Sequence, residues 1–322
     1  MGQGDFPLTR RGLLQGLAAL AAGPLWAGSV TDPGQLIKRA IPSTGESIPI
    51  LGMGTWLTFD VGDYPQMIAR RSQVLQAFFE GGGGMIDSSP MYGSSERTVG
   101  ACLELLSDHG ALFTATKVWT PGRWLGVKQM ESSMKLWGVP AFDLMQIHNM
   151  LDWETHLETL KQWKAEGRIR YIGITTSHGR RHQKLERALT RESFDFVQLT
   201  YNLLDREAEE RLLPLAAERG IGVIVNRPFR RGGLFDQVAG KPLPAWAGEI
   251  ECRSWAQFFL KFILSHPAVT CAIPATTRVD HMQENLQAAR GVLPDAATRQ
   301  RMVDYLQSCL LYTSPSPRDR YI

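Results

Sequence analysis

Residues 142–175 read FDLMQIHNMLDWETHLETLKQWKAEGRIRYIGIT. One apolar run starts at Phe142 and a second at Ile169. Between them Leu157, Leu160, Lys161 and Trp163–Lys164 carry helical spacing up to Gly167. The stretch reads as strand, helix, strand, and the unit repeats outward in both directions. Strand starts fall near Ile48, Met85, Leu112, Phe142, Ile169, Phe194, Gly220 and Val269, at spacings of 37, 27, 30, 27, 25, 26 and 49 residues. All but the first and last spacings hold one strand, one helix and two loops. A further helical pattern, Leu212, Leu213 and Leu215–Ala217, runs up to Gly220. Eight strands alternating with helices predict an α/β protein, a single-domain (β/α)8 TIM barrel of about 250 residues. A doubly wound sheet is the rival and needs G-x-G-x-x-G between its first strand and helix. The one glycine cluster, Gly81–Gly84, leads into the strand MIDSS instead and reads as a turn.

At 322 residues the chain lies at the upper edge for one core. Its 43% hydrophobic and 21% charged residues exclude a disordered or low-complexity chain. The formal charge is +3, of which residues 1–27 and 311–322 supply +1 each. So balanced a body has no electrostatic footprint for nucleic acid. The four cysteines, at 102, 252, 271 and 309, form no CxxC pair and no zinc spacing.

The ends differ from the body, which spans 28–310. Residues 9–27, TRRGLLQGLAALAAGPLWA, place Arg10 and Arg11 before an apolar run from Leu13 to Ala22. That run is too short for a stable bilayer anchor. Residues 1–27 resemble a twin-arginine secretion leader, with cleavage after Ala27 despite Leu25 at the −3 position. The resemblance implies the twin-arginine export machinery as a partner, a periplasmic or exported location, and no stable membrane insertion after leader removal. Residues 311–322 hold two prolines and no periodicity. They resemble translated adapter sequence and are expected to carry no function.

A barrel gathers its chemistry at the C-terminal ends of its strands. The strand MIDSS delivers Asp87, and Tyr92 follows in the next loop. LFTATKV ends at Lys117 and FDLMQIHN at His148. Singly, each has an ordinary explanation: a cap, a surface ring, a solvated amine, a satisfied core imidazole. Together they form a proton-donating set. A free phenol, with a pKa of about 10, is a poor acid at neutral pH. An adjacent ammonium is expected to lower that value, and a carboxylate holds the ammonium in place. The imidazole orients a substrate oxygen. No cluster suited to a metal is evident.

The chain resembles the aldo/keto reductase family over roughly residues 40–300. The resemblance rests on LGMGTW (51–56), MIDSSPMYGSSE (85–96), ATKVW (115–119), LMQIHN (144–149), RYIGITT (170–176), VQLTYN (197–202) and IPATTRVDHMQEN (273–285). It implies a carbonyl reductase with Asp87, Tyr92, Lys117 and His148 as catalytic tetrad. NADPH, or NADH, is the implied cofactor and an aldehyde or ketone the implied substrate. Thr55 and Asp87 would border the cofactor, and Thr175, Thr176 and Gln198 would meet its nicotinamide carboxamide. Thr276, Arg278, Glu284 and Asn285 would surround the adenosine end, with Arg278 on a 2′-phosphate. Trp56, Trp119 and Trp124 would wall the substrate pocket. The family's usual Ser-Asn pair is Thr175-Thr176 here. In VIVNRPFRRGG (223–233) Asn226 stands where an aromatic usually stacks on the nicotinamide, so Arg227 and Phe229 would hold the cofactor differently. A basic residue common after the last strand's proline is Ala275. The alternatives are a cofactor-binding sensor or partner subunit on the same barrel with little turnover, and a metal-dependent barrel hydrolase.

Overall fold

The computed structural model describes residues 34–109 and 112–311. β1 (Lys38–Ala40) and β2 (Ser47–Pro49) form an antiparallel hairpin. Eight strands follow: β3 (Met53–Gly54), β4 (Met85–Asp87), β5 (Phe113–Val118), β6 (Phe142–Ile147), β7 (Ile169–Thr175), β8 (Phe196–Thr200), β9 (Gly222–Asn226) and β10 (Val269–Ala272). They pair in sequence order in one parallel sheet. The ends of that sheet meet. Leu51 bridges Ala272 in parallel, and the Gly52 N–H donates to the Ala272 carbonyl at 2.9 Å. This is the (β/α)8 barrel that the strand spacing predicts.

The first expected strand is corrected. The run at Ile48 is divided between the hairpin and the two-residue β3. Pro49 has no N–H to give a ladder. At Gly52 a Cβ would lie 2.9 Å from the Met85 carbonyl, so closure requires glycine there. Phe194 and Gly220 each precede their strand by two residues, which leaves the spacing of 26 intact.

Strand side chains alternate between the barrel interior and the surrounding helices. The lower interior layer is apolar: Met85, Phe113, Leu144, Tyr171, Phe196, Ile224 and Cys271 pack with Ile41 and Ile48 of the hairpin. The hairpin thus plugs the N-terminal mouth. Further along the same faces the interior turns polar, with Lys117 on β5, Gln146 on β6 and Gln198 on β8, all buried.

The helices cover the outside of the barrel. α1 (Pro65–Glu80) opens on Pro65, whose missing N–H costs nothing in a first turn. α2 (Ser95–Leu105), α3 (Arg123–Trp137), α4 (Trp153–Ala165), α5 (His182–Arg191), α6 (Leu212–Glu218), α7 (Gly233–Gln237), α8 (Trp255–Leu264), α9 (Val279–Gln287) and α10 (Ala296–Leu311) follow. α4 buries Leu157, Leu160 and Trp163, the residues whose spacing announced it. α8 carries WAQFFLKFIL and buries nine of its ten residues, Lys261 among them. Its Nζ donates to the carbonyls of Arg290 and Val292 at 2.8 and 2.6 Å, which satisfies the buried amine. Leu311 still belongs to α10. The proposed leader and residues 312–322 lie outside the described residues. No described helix is long and apolar enough to cross a membrane.

Candidate active site

Parallel register brings the C-terminal ends of β4, β5 and β6 side by side, with Asp87 beside Ala115 and Lys117 beside Gln146. Asp87 is 1% exposed and Lys117 fully buried, and Lys117 Nζ donates to Asp87 Oδ2 at 2.5 Å. It donates also to the Ser88 carbonyl at 2.7 Å. Asp87 Oδ1 accepts from Gln146 Nε2 at 2.7 Å and from Gln198 Nε2 at 2.9 Å. Every charged and polar atom of this buried pair is answered, the condition for keeping it there.

Tyr92 lies in the turn between β4 and α2. Lys117 Nζ is 5.2 Å from its ring centroid, and its ring meets His148 edge-on at 5.7 Å between centroids. Burial raises the Tyr92 phenol above its ordinary pKa of 10.0, and Lys117 only partly offsets that. The expectation of a lowered phenol pKa is therefore corrected: at rest the phenol is firmly protonated. Burial also works against the Lys117 ammonium, but Asp87 and Tyr92 hold its pKa above the ordinary lysine value. His148 is pushed down to about 2 by burial and then by Lys117, so its imidazole is neutral.

A cavity of about 310 Å³ opens onto Tyr92 and His148. Thr55, Trp56, Met91, Asn226, Arg227 and Phe229 are among its walls. A second cavity of about 200 Å³ adjoins it through Ser177, Arg227 and Arg231. Arg227, Arg230 and Arg231 have φ of 50°, 50° and 59°. Three arginines in the left-handed region within five residues mark a strained loop after β9. The Arg231 guanidinium stacks 4.2 Å over the Trp56 ring.

The expected site residues divide into three groups. Thr55, Asp87, Tyr92, His148, Thr175, Gln198, Asn226 and Phe229 line the main cavity together with Trp56. Thr176 is buried beside it, and its carbonyl accepts from Asn226 Nδ2 at 2.9 Å. Asn226 Oδ1 accepts from Thr200 at 2.7 Å. Thr276, Arg278, Glu284 and Asn285 stand outside the main cavity, the first two just before α9 and the last two in its second half. Arg278 there is exposed and paired with Asp280, Nε to Oδ1 at 2.9 Å. Trp119 packs beside the His148 ring at 6.4 Å without lining the cavity. Trp124 is corrected: on the first turn of α3 it is 70% exposed and takes no part in the cavity wall. Among the described residues no cluster of His, Cys, Asp or Glu could hold a metal.

Gln146 was not anticipated. The signal was available, because a two-residue period along β6 puts Leu144, Gln146 and His148 on one face. Ser89, which contacts His148 Nδ1 at 2.8 Å, carries the same cue, since the two-residue period of MIDSS puts Met85, Asp87 and Ser89 on one face.

The aldo/keto reductase family model matches residues 50–301. The chain belongs to the aldo/keto reductase family. Among curated proteins it is 30% identical over 160 residues to an uncharacterized oxidoreductase of Schizosaccharomyces pombe, a match that covers 49% of this chain. The chain thus spans only about half, 50%, of that relative. Among solved structures it is 27% identical to a thermostable aldo-keto reductase held with the inhibitor epalrestat, over 84% of this chain and 100% of that one, with a TM-score of 0.68. Similar in fold are an aldo-keto reductase of Klebsiella pneumoniae in complex with NADPH (23% identity, 87% and 97% coverage, TM-score 0.69) and the glycerol dehydrogenase of Gluconobacter oxydans (18% identity, 89% and 99% coverage, TM-score 0.70).

Proposed function

We propose that this aldo/keto reductase family member reduces an aldehyde or ketone to the alcohol with NADPH, or NADH, and that Tyr92 donates the proton. The observation that carries the reading is a protonated phenol between a buried ammonium and a neutral imidazole at a cavity mouth. Bound NADPH supplies hydride to the carbonyl carbon. Tyr92 gives its proton to the carbonyl oxygen, and the phenolate left behind faces the Lys117 ammonium. Asp87 keeps that ammonium charged. Neutral His148 donates a hydrogen bond to the same oxygen and orients it.

The cavity suits such a cofactor. Asn149 Oδ1 is buried without a partner at its wall, an acceptor matched to the carboxamide N–H donors of a nicotinamide. Thr175, Thr176 and Gln198 would share that end. Arg227 and Arg231 make no ion pair among the described residues and would face the anionic phosphates. Asn226 is tied into the wall by its own hydrogen bonds, so Phe229 is the aromatic group left to pack on the cofactor. Thr276, Arg278, Glu284 and Asn285 would take the adenosine end. NADPH in the Klebsiella relative is in keeping with this reading. The sensor alternative is not favoured, because a binding-only barrel has no need of a fully hydrogen-bonded Lys117–Asp87 pair beneath a phenol.

Purified protein mixed with NADPH or NADH and a panel of carbonyls tests the proposal. Saturable loss of the reduced-nicotinamide absorbance supports it. Tight cofactor binding with no turnover on any carbonyl overturns it in favour of the sensor.

For residues 1–27 we propose a twin-arginine leader and an exported, periplasmic protein that folds and takes up its nucleotide before crossing. Arg10 and Arg11 before a short apolar run support the reading. Replacing both arginines by lysine should trap active protein inside the cell. Unchanged secretion would overturn it.

A further inference from the structure

We propose that Gln146 is a positioning residue which fixes the amide of Gln198 at two points, so that Gln198 Oε1 faces the cavity as an acceptor for a carboxamide N–H. The proposal rests on the nicotinamide reading of the cavity.

The polarity of the buried amides follows from their partners. The Asp87 carboxylate accepts and does not donate, so both Gln146 and Gln198 turn their NH2 groups toward it, at 2.7 and 2.9 Å. The Oε1 of Gln146 then accepts the second N–H of Gln198 at 3.1 Å. With both of its N–H groups held, the Gln198 amide cannot roll about either bond. Its Oε1 is directed away from Asp87, toward Asn226, whose Nδ2 reaches it at 3.3 Å. One lone pair of that oxygen takes Asn226, and the other remains for a ligand. Asn226 has the same enforced sense, since its Nδ2 also donates to the Thr176 carbonyl, which only accepts.

A slot is built for Gln146. Gly173 is its register partner on β7. A Cβ at Gly173 would sit 2.7 Å from Gln146 Cγ and 3.2 Å from Leu144 Cδ1. The missing side chain at 173 is the room in which Gln146 lies. Gln146 is fully buried and touches no cavity wall itself, so its effect passes through Gln198 and Asp87.

The test is binding of oxidised NADP and of its acetylpyridine analogue, which keeps the ring carbonyl and loses the N–H donors. Dissociation constants are read by intrinsic-fluorescence quenching. The parent should prefer NADP by about fivefold, the order of one net hydrogen bond. Gln146→Met keeps length and removes both polar atoms, and should shrink that preference to less than twofold. A preference unchanged in a folded Gln146→Met variant overturns the proposal. If that variant fails to fold, Gly173→Ala displaces Gln146 without altering its chemistry and is held to the same two outcomes. A parent that binds neither dinucleotide overturns the nicotinamide reading itself, and the proposal with it.

Discussion

Ser89 Oγ lies 2.8 Å from His148 Nδ1, while the Met91 N–H donates to the same oxygen at 3.2 Å. The serine oxygen is thus engaged as an acceptor, and its own proton is free to point at Nδ1. A neutral imidazole that accepts at Nδ1 carries its proton on Nε2. That is the tautomer able to donate to a carbonyl oxygen. Ser89→Ala should therefore lower kcat by about five- to tenfold, the worth of one net hydrogen bond. Cofactor affinity should stay within twofold. An unaltered kcat would show that His148 needs no such director.

Tyr92→Phe removes one oxygen and almost no volume. Loss of a general acid typically costs about 10²–10⁴ in rate. We expect kcat to fall in that range with nucleotide affinity changed less than a few-fold. Lys117→Met should be comparably slow, since the phenolate would form without the buried ammonium beside it. A Tyr92→Phe enzyme within tenfold of the parent on a good aldehyde would remove Tyr92 from the mechanism.

The Arg278–Asp280 pair bears on cofactor choice. A 2′-phosphate would have to draw Arg278 away from Asp280. Arg278→Ala should raise the NADPH dissociation constant about tenfold and leave NADH nearly unchanged. Asp280→Asn should tighten NADPH, because the guanidinium is then unclaimed. Equal weakening of both nucleotides by Arg278→Ala would assign the 2′-phosphate elsewhere.

Acid should destabilise the fold early. His148 is pushed down to about 2 by burial and Lys117, and His266 to about 4 by burial and Arg299. In the unfolded chain both return to about 6.5. Below that value the unfolded state binds more protons, so stability is complete above pH ~6.5 and falls as pH drops toward each folded value. By pH 5 each imidazole costs about 2 kcal/mol. Thermal melts from pH 7.5 to 5 should show a shallower loss for His148→Gln than for the parent. Parallel acid slopes in the two proteins would contradict the buried neutral imidazole.

Much of this was legible in the sequence, for a physical reason. The barrel announces itself because Phe142, Ile169 and their counterparts recur at the length of one strand-helix unit, and packing enforces that length. Asp87, Lys117 and His148 fall at strand ends, where the fold always presents side chains. The short β3 was illegible, since two residues carry no periodicity, and the closing bridge just before it joins Leu51 to Ala272, more than two hundred residues away. The state of Tyr92 was illegible because the sequence shows Lys117 as a candidate neighbour but not the burial that outweighs it. Only the family resemblance puts Trp124 in the pocket wall, and on the first turn of α3 it is 70% exposed.

The hairpin plug carries a consequence for access. Ile41 and Ile48 fill the N-terminal end of the barrel, so whatever reaches Tyr92 and His148 comes from the opposite end, where the cavity lies. On the proposed function, dinucleotide and carbonyl would share that one face of the barrel, and each would shape the room left for the other.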